Sequence, residues 1–399
     1  MSDDRLSRRR ALTQMATVAA ALAVPVRAQT QARSSAVEPM TDAELERLLR
    51  LASVPAVSMA VIERDKTTFR AIGLRRAGEA ERITPGTVFA AASLSKPMFA
   101  YAFHGLVLDG KLSLDQPLRE LLPLPNAEDA QAAGITARHL LSHSGGWRNW
   151  RNNLTQPLTA DFAPGSRWSY SGEGFFFLQR VAEKVTGKSV GTLMHERVFD
   201  PLGMTRSSFM LTEAQERFAA SGHGNRGDPV QPFGRPTLLE LRKTIAARNL
   251  AADAPMVADA EQAIRTAEPT LPVLPNFLPA NVAGGMYTSA EDFAKFLAHL
   301  VTARAAGGRP AAIVQQMWAP QVRCNESVQW GLGVGLEDIG TQRFAWQWGD
   351  NPGFKHVFFA DAQNGRAIAV FTNGDRGARV YERVIRAEQG QDHPAFLWS

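Results

Sequence analysis

Cysteine is nearly absent from this chain of 399 residues, in which Cys324 is the only one. A single thiol excludes an intrachain disulfide, even in an oxidising compartment. The neighbouring Arg323 and Asn325 form no pattern typical of a cysteine nucleophile. We therefore expect Cys324 to be a packed or partly exposed thiol.

Strong charge of either sign is also lacking once the N-terminus is set aside. The net charge is +5 and the isoelectric point is about 9.5. Residues 1–28 contain five Arg and two Asp, which supply three of the five positive charges. No stripe of basic residues interleaved with aromatic ones follows, so a nucleic-acid partner is not expected. With 45% hydrophobic and 21% charged residues, the composition is that of an ordinary globular protein.

Long hydrophobic runs are confined to the N-terminus, where residues 11–26 form an apolar stretch too short to span a membrane. It follows Ser7-Arg-Arg-Arg-Ala-Leu12, which resembles a twin-arginine export motif, and it leads to the small-residue cleavage site Val26-Arg-Ala28. We predict that residues 1–28 are an export signal removed after Ala28, so that the mature chain is periplasmic or secreted. The lack of a cysteine near Ala28 argues against a lipid anchor, and no other stretch predicts an integral membrane segment.

Strand-like patterns lie near the two ends of the remaining chain, and helical patterns occupy its middle. This arrangement predicts an α/β fold with one antiparallel five-stranded sheet, completed by both ends of the chain and flanked by helices. A large all-helical insertion interrupts it. The predicted strands are residues 56–63, 67–74, 344–348, 355–360 and 366–371. Thr41-Asp-Ala-Glu44 predicts a capping box at the start of a first helix, and residues 238–248 have a helical pattern.

The length of the chain allows one large domain or two. We predict a sheet domain made of residues 29–88 and 283–399, and a helical domain made of residues 89–282. Within the helical domain, the Ala-, Glu- and Pro-rich stretch at about residues 206–280 is predicted to be a lid-like insertion.

One stretch carries recognisable chemistry, namely Ser93-Leu-Ser-Lys96 within a run of small and apolar residues. In a helix that begins near Ser93, positions 93 and 96 lie about one turn apart on the same face. A lysine shielded from water there has a lowered pKa and can take a proton from the hydroxyl of Ser93. A serine needs such a base to become a nucleophile. The spacing alone also fits a helix start with a surface lysine.

Two histidines, His139 and His143, have the i, i+4 spacing found in some metal sites. A catalytic zinc site needs a third protein ligand and an open position. No carboxylate or cysteine lies at a supporting spacing. We therefore expect these histidines to form hydrogen bonds at a helix end and in a loop, and we predict no metal and no organic cofactor.

Several segments taken together resemble the serine β-lactamase and penicillin-binding-protein superfamily. Within it, the closer resemblance is to the class C-like branch, which includes carboxylesterases and D-aminopeptidases. The order and spacing of the segments, which extend over most of residues 45–380, are far more specific than any one of them. The segments are Ser93-Leu-Ser-Lys96, Gly110-Lys-Leu-Ser-Leu-Asp-Gln-Pro117, His139-Leu-Leu-Ser-His-Ser-Gly145, Pro164-Gly165 to Tyr170, Asp200-Pro-Leu-Gly-Met204, Ala283-Gly-Gly-Met-Tyr287 and Trp348-Gly-Asp-Asn-Pro-Gly-Phe354.

The resemblance implies a β-lactamase/transpeptidase-like fold and acyl transfer through a serine ester. It assigns Ser93 as the nucleophile, Lys96 as its activating base, and Tyr170 as the residue that relays a proton to the leaving group. A phenol held among positive groups can ionise well below its usual pKa of about 10, which makes it a usable base. The resemblance also implies an oxyanion hole formed by the backbone N–H groups of Ser93 and Asp350.

Two departures from the family pattern bear on the substrate. Gly172 stands where the family often has an asparagine that contacts the substrate and helps to orient Lys96. Gln347-Trp348-Gly349 aligns with the Lys-Thr-Gly (or His-x-Gly) motif, so that neutral Gln347 replaces a cation and Trp348 narrows the site or makes it more apolar. Gly172, Gln347, Trp348 and Gly349 are the expected substrate-binding residues. These changes favour a neutral ester or amide over an anionic β-lactam.

We therefore expect a serine hydrolase, most closely of carboxylesterase type, that cleaves a small or medium ester or amide. The alternatives are a D-amino-acid peptidase, a weak β-lactamase and, from a different class, a non-catalytic penicillin- or peptidoglycan-binding protein. The expected partner is a small-molecule ester or amide, or a peptide. The sequence leaves the oligomeric state open.

Overall fold

Strands from both ends of the chain meet in one sheet in the computed structural model, which describes residues 38–126, 128–153, 156–231 and 234–398. The predicted export signal, residues 1–28, lies outside the described residues. The strands are β1 Ala56–Glu63, β2 Lys66–Gly73, β3 Val88–Ala90, β4 Tyr287–Ser289, β5 Val322–Arg323, β6 Val328–Trp330, β7 Gly335–Ile339, β8 Gln342–Asn351, β9 Phe354–Asp361 and β10 Arg366–Thr372.

Eight of these strands pair in the order β2-β1-β10-β9-β8-β7-β6-β5, and every neighbouring pair is antiparallel. Val57 of β1 pairs with Thr372 of β10, and this pairing joins the N-terminal hairpin to the C-terminal strands. The short strands β3 and β4 form a separate antiparallel ladder.

The predicted α/β class is confirmed, but the predicted count of five strands is wrong. The missed strands are β5, β6 and β7, which have two, three and five residues. Segments this short carry too few positions to show the alternation that indicates a strand. The five predicted strands are all present, and β8, with ten residues, extends well beyond the predicted 344–348.

Twelve α-helices lie within the described residues, and none of them has the length and apolar character needed to cross a membrane. The first begins with the capping box expected from its sequence, because the Glu44 N–H donates to Thr41 Oγ1 at 3.3 Å and the Thr41 N–H donates to Glu44 Oε2 at 2.8 Å. The helices are α1 Asp42–Ala52, α2 Ser95–Leu108, α3 Ala137–Leu141, α4 Gly172–Thr186, α5 Val190–Met194, α6 Glu213–Glu216, α7 Arg235–Ala247, α8 Val257–Ala267, α9 Ala290–Ala306, α10 Gly308–Met317, α11 Gly377–Gln389 and α12 Pro394–Trp398.

Both faces of the sheet are covered by helices. Alternate residues of the central strands, such as Ala60 and Phe358, join a core cluster with α2 and α9 on one face. Their neighbours, such as Met59 and Phe359, join a second cluster with α1 and α11 on the other face. Because both faces are buried, these strands are apolar almost throughout. Ser93 lies on the side of the sheet that packs against α2.

The predicted insertion at residues 206–280 contains α6, α7 and α8. Its helices share an apolar cluster, including Leu241 and Ile264, that also holds Phe176 of α4. The helical pattern of residues 238–248 was correctly identified, although α7 begins at Arg235. The division into a sheet domain and a helical domain, and the role of the insertion as a lid, stay predictions.

Candidate active site

The turn before α2 presents Ser93. Residues Ala92–Leu94 form a 3₁₀ turn, and α2 itself begins only at Ser95. Ala92 has a φ of 50°, a left-handed conformation that costs a residue with a Cβ about 1 kcal/mol or more. Two hydrogen bonds hold this turn, because Ser95 Oγ donates to the Ala92 carbonyl and accepts from the Met286 N–H at 3.2 Å. Strain next to a reactive side chain is typical of functional sites.

The structure brings the three predicted catalytic side chains together at Ser93 Oγ. Tyr170 OH lies 2.8 Å from this oxygen and Lys96 Nζ lies 3.1 Å from it. Lys96 Nζ also donates to the Ala283 carbonyl oxygen at 2.6 Å, and Ser93 Oγ lies 3.3 Å from the same carbonyl. Lys96 and Tyr170 thus both contact the predicted nucleophile, and Ala283 holds the amine in place.

Burial decides the protonation of this cluster. Lys96 is 1% exposed, and this desolvation lowers its pKa well below the usual range. Burial raises the pKa of Tyr170 above its ordinary value, although hydrogen bonding with Ser93 and Gln347 opposes the rise. The expectation that positive neighbours acidify the phenol is therefore wrong for the resting site. The lowered pKa of Lys96 favours its neutral amine, which can accept a proton, whereas the raised pKa of Tyr170 favours the protonated phenol.

Strand β8 forms the wall next to this cluster. Gln347 is fully buried and faces Tyr170, and its side-chain oxygen has no hydrogen-bond partner within the described residues. Trp348, the next residue, points to the opposite face of the strand, and its ring centroid lies 5.1 Å from that of Tyr170. A Cβ at Gly349 would lie 2.6 Å from the Ala91 carbonyl oxygen, so only glycine lets β8 approach the Ser93 turn this closely.

The remaining predicted residues lie at the edges of the site. Asp350 follows Gly349 on β8, and its exposed carboxylate accepts a hydrogen bond from Lys355 Nζ at 2.7 Å. Gly172 is the first residue of α4, two positions after Tyr170, and its N–H donates to Asn149 Oδ1 at 2.8 Å. Gly172 thus follows Tyr170 closely in the chain, and Asp350 follows Gly349, which lies against the turn of Ser93.

Sequence reasoning missed one supporting role, that of His143. Its Nδ1 accepts the Ser171 N–H at 3.1 Å, and its ring centroid lies 4.3 Å from that of Tyr170. Burial, with a smaller contribution from Lys96, lowers the pKa of His143 well below its usual range, so a neutral ring supports the phenol. The backbone N–H of Thr136 donates to His139 Nδ1 at 3.2 Å, a helix-end bond of the kind expected for this histidine. No group of three metal-ligating side chains occurs in the part of the chain that the structure describes.

Comparison with protein families gives a match to the family described as Beta-lactamase over residues 41–391. The chain is 30% identical to Esterase EstB of Burkholderia gladioli over 349 residues, which cover 76% of this chain and 82% of that esterase. It is also 32% identical to Lovastatin esterase of Penicillium rubens over 176 residues, which cover 35% of this chain and 43% of that enzyme.

Solved structures show the same fold. A β-lactamase/D-alanine carboxypeptidase from Pseudomonas syringae superposes with a TM-score of 0.68 at 15% identity, covering 88% of this chain and 98% of that one. A class C β-lactamase superposes with a TM-score of 0.69 at 15% identity, covering 88% of this chain and 94% of that one. At this identity the likeness concerns the fold alone.

Proposed function

The chain belongs to the β-lactamase family of serine hydrolases, and from this membership we propose that it cleaves small or medium neutral esters through an acyl-enzyme on Ser93. The observation that carries the proposal is the contact of Ser93 Oγ with both Tyr170 OH and Lys96 Nζ, at 2.8 and 3.1 Å. The likeness to two esterases supports an ester as the substrate.

Acylation follows from the protonation of the cluster. Ser93 Oγ attacks the ester carbonyl carbon while its proton passes to the neutral amine of Lys96. The carbonyl oxygen becomes an oxyanion, which the backbone N–H groups of Ser93 and Asp350 are proposed to stabilise by about 3–4 kcal/mol each. When the carbon–oxygen bond of the ester breaks, Tyr170 donates its proton to the alkoxide, and the protonated Lys96 restores the phenol. The alcohol thus leaves with the proton of Tyr170, and the serine proton ends on Tyr170 by way of Lys96.

Deacylation reverses these roles with water. A water molecule that attacks the acyl-enzyme gives its proton to Lys96, either directly or through Tyr170, and the departing Ser93 Oγ takes a proton back. Every transfer involves groups within hydrogen-bond distance of Ser93 Oγ. No step needs a charged phenol at rest, in keeping with the raised pKa of Tyr170.

The charges around the site support a neutral substrate. Gln347 is uncharged, so the strand beside Tyr170 offers hydrogen bonds rather than a cation. The nearest lysine along the strand pair, Lys355, forms ion pairs with Asp350 at 2.7 Å and Asp375 at 3.3 Å. These residues therefore offer no uncompensated positive charge to a substrate carboxylate. A neutral ester needs no such charge to bind.

The test compares hydrolysis of p-nitrophenyl butyrate and nitrocefin by the wild-type chain and its Ser93→Ala variant. We expect turnover of the ester, a loss of at least about a thousandfold in the variant, and little cleavage of nitrocefin. The control variant is Cys324→Ala, which removes a thiol outside the cluster and should retain ester turnover. Efficient nitrocefin turnover would contradict the preference for neutral substrates. Ester turnover that survives Ser93→Ala would refute the nucleophile.

A further inference from the structure

The indole of Trp150 fills the space that a side chain at Gly172 would need. A Cβ built on Gly172 would lie 2.2 Å from Trp150 Cζ2 and 2.4 Å from Cη2. Real Cβ atoms do not approach other heavy atoms this closely, so position 172 accepts no side chain while Trp150 keeps this place. The position of the Trp150 indole therefore requires glycine at position 172.

Hydrogen bonds on both sides of Trp150 fix it against the first turn of α4. Asn149 accepts the Gly172 N–H at its side-chain oxygen, at 2.8 Å, and the Glu173 N–H at its backbone oxygen, at 2.9 Å. On the other side, the backbone N–H and Nε of Arg151 both donate to Glu173 Oε1 at 3.0 Å. Since the carboxylate of Glu173 is buried, this pairing resists displacement.

The position of this tryptophan connects it to the proposed chemistry. Gly172 and Phe175 lie three residues apart on one face of α4. Lys96 Nζ lies 5.6 Å from the ring centroid of Phe175, and Tyr170 OH contacts Ser93 Oγ just before α4 begins. Trp150 packs partly buried against the core cluster that contains Phe175, and the rest of its surface is exposed to solvent. The indole thus lies against the first turn of α4, two residues after Tyr170 in the chain.

We propose that Trp150 forms an apolar wall of the acyl-binding space and sets the size of the acyl group that the enzyme accepts. The inference rests on the proposed esterase function and names its specificity residue. A polar side chain is excluded from position 172 by the indole, so the acyl group meets an aromatic face at this point. An acyl group with an amide there would lose hydrogen bonds to water without replacement, whereas an alkyl chain gains apolar contact.

The kinetic test uses p-nitrophenyl acetate, butyrate and octanoate with Trp150→Ala, Trp150→Phe and wild type. Removing the indole enlarges the space, so in Trp150→Ala we expect the ratio of kcat/KM for octanoate to that for acetate to rise at least about tenfold. Trp150→Phe keeps an aromatic wall and should change the ratio by less than about threefold. A purely structural role would lower activity on all three esters equally, and such a result would overturn the proposal.

A second test uses Gly172→Asn alone and together with Trp150→Ala, with Gly134→Asn as the matched control. Gly134 is exposed, and a Cβ there would meet no atom within 4 Å. We expect Gly172→Asn to lower Tm by about 5 °C, the double variant to recover most of that loss, and the control to leave Tm unchanged. If the change in Tm of the double variant equals the sum of the changes in the two single variants, the contact between Trp150 and position 172 is refuted, and the proposed wall with it.

The two tests separate this inference from the proposed function. A wild-type chain that hydrolyses none of the three esters would refute the esterase function and the acyl wall with it. Ester hydrolysis by wild type with an unchanged chain-length ratio in Trp150→Ala would refute the wall alone.

Discussion

Replacing the buried lysine of the site should stabilise the fold while it removes the chemistry. Lys96 is 1% exposed and its pKa is held well below the usual range by burial. An unfolded chain binds a proton at this lysine up to pH about 10.4. Between the folded-state pKa and that value, the unfolded state carries one proton more. The free energy of unfolding therefore rises with pH by about 1.4 kcal/mol per unit, and it is lowest on the acid side.

Lys96→Met removes the dependence of the free energy of unfolding on pH that Lys96 causes. The variant loses two hydrogen bonds, to Ser93 Oγ at 3.1 Å and to the Ala283 carbonyl at 2.6 Å, worth about 1 kcal/mol each. Because the pKa of Lys96 is strongly lowered, the gain at pH 7 should exceed this loss of about 2 kcal/mol. We expect a variant that is more stable than wild type at pH 7, whose advantage shrinks by about 1.4 kcal/mol per unit as the pH rises towards 10.

Equilibrium unfolding in urea at pH 6.5, 7.5, 8.5 and 9.5, followed by tryptophan fluorescence, measures this difference. The exposed Lys111 provides a control for the loss of one charge, through Lys111→Met. Ester turnover by Lys96→Met should fall by about a thousandfold or more. An advantage that stays constant or grows with pH would show that Lys96 is charged in the fold. The general-base role would then be refuted.

Three further predictions concern residues outside the catalytic cluster. Gly349→Ala brings a Cβ to 2.6 Å from the Ala91 carbonyl oxygen, so thermal unfolding should show a loss of about 1–3 kcal/mol, and an unchanged Tm would contradict this packing. Glu337→Ala removes the fully buried partner of His393 and should lower the free energy of unfolding by about 3 kcal/mol. Proteolysis of the C-terminal helix should then be faster than in wild type, and equal cleavage rates would refute this prediction. Burial raises the pKa of Cys324 to about 12, so iodoacetamide at pH 8 should label it far more slowly than free cysteine, while Cys324→Ala retains ester turnover.

Local patterns in the sequence correctly predicted much of this protein. The capping box at Thr41 and Glu44 formed as expected, and so did the hairpin of β1 and β2 at the N-terminal end. The Ser93-x-x-Lys96 spacing predicted two side chains on one helical face, and their atoms lie 3.1 Å apart. Each of these features depends on residues within a few positions of one another, so the information lies in a short window of sequence.

Other features could not be read from such windows. The short strands β5 to β7 become strands through pairing with their neighbours, β7 with β8, β6 with β7 and β5 with β6, rather than through a pattern of their own. The left-handed φ of Ala92 is held by Ser95, which Met286 bonds from across the fold. The export signal, the domain division and the moving lid stay predictions.

The sequence by itself determined the family, the fold class and the side chains that meet at Ser93, because motif order and periodicity are properties of the chain. Only the tertiary structure decided how they are charged and what borders them. The pKa of Tyr170 rises because segments distant in sequence, including those that carry His143 and Trp348, exclude water from it. Likewise, Trp150 occupies the place of a side chain at Gly172 because hydrogen bonds between two separate segments hold it there. Desolvation and steric exclusion sum over all neighbours in space, so they exist only once the chain has folded.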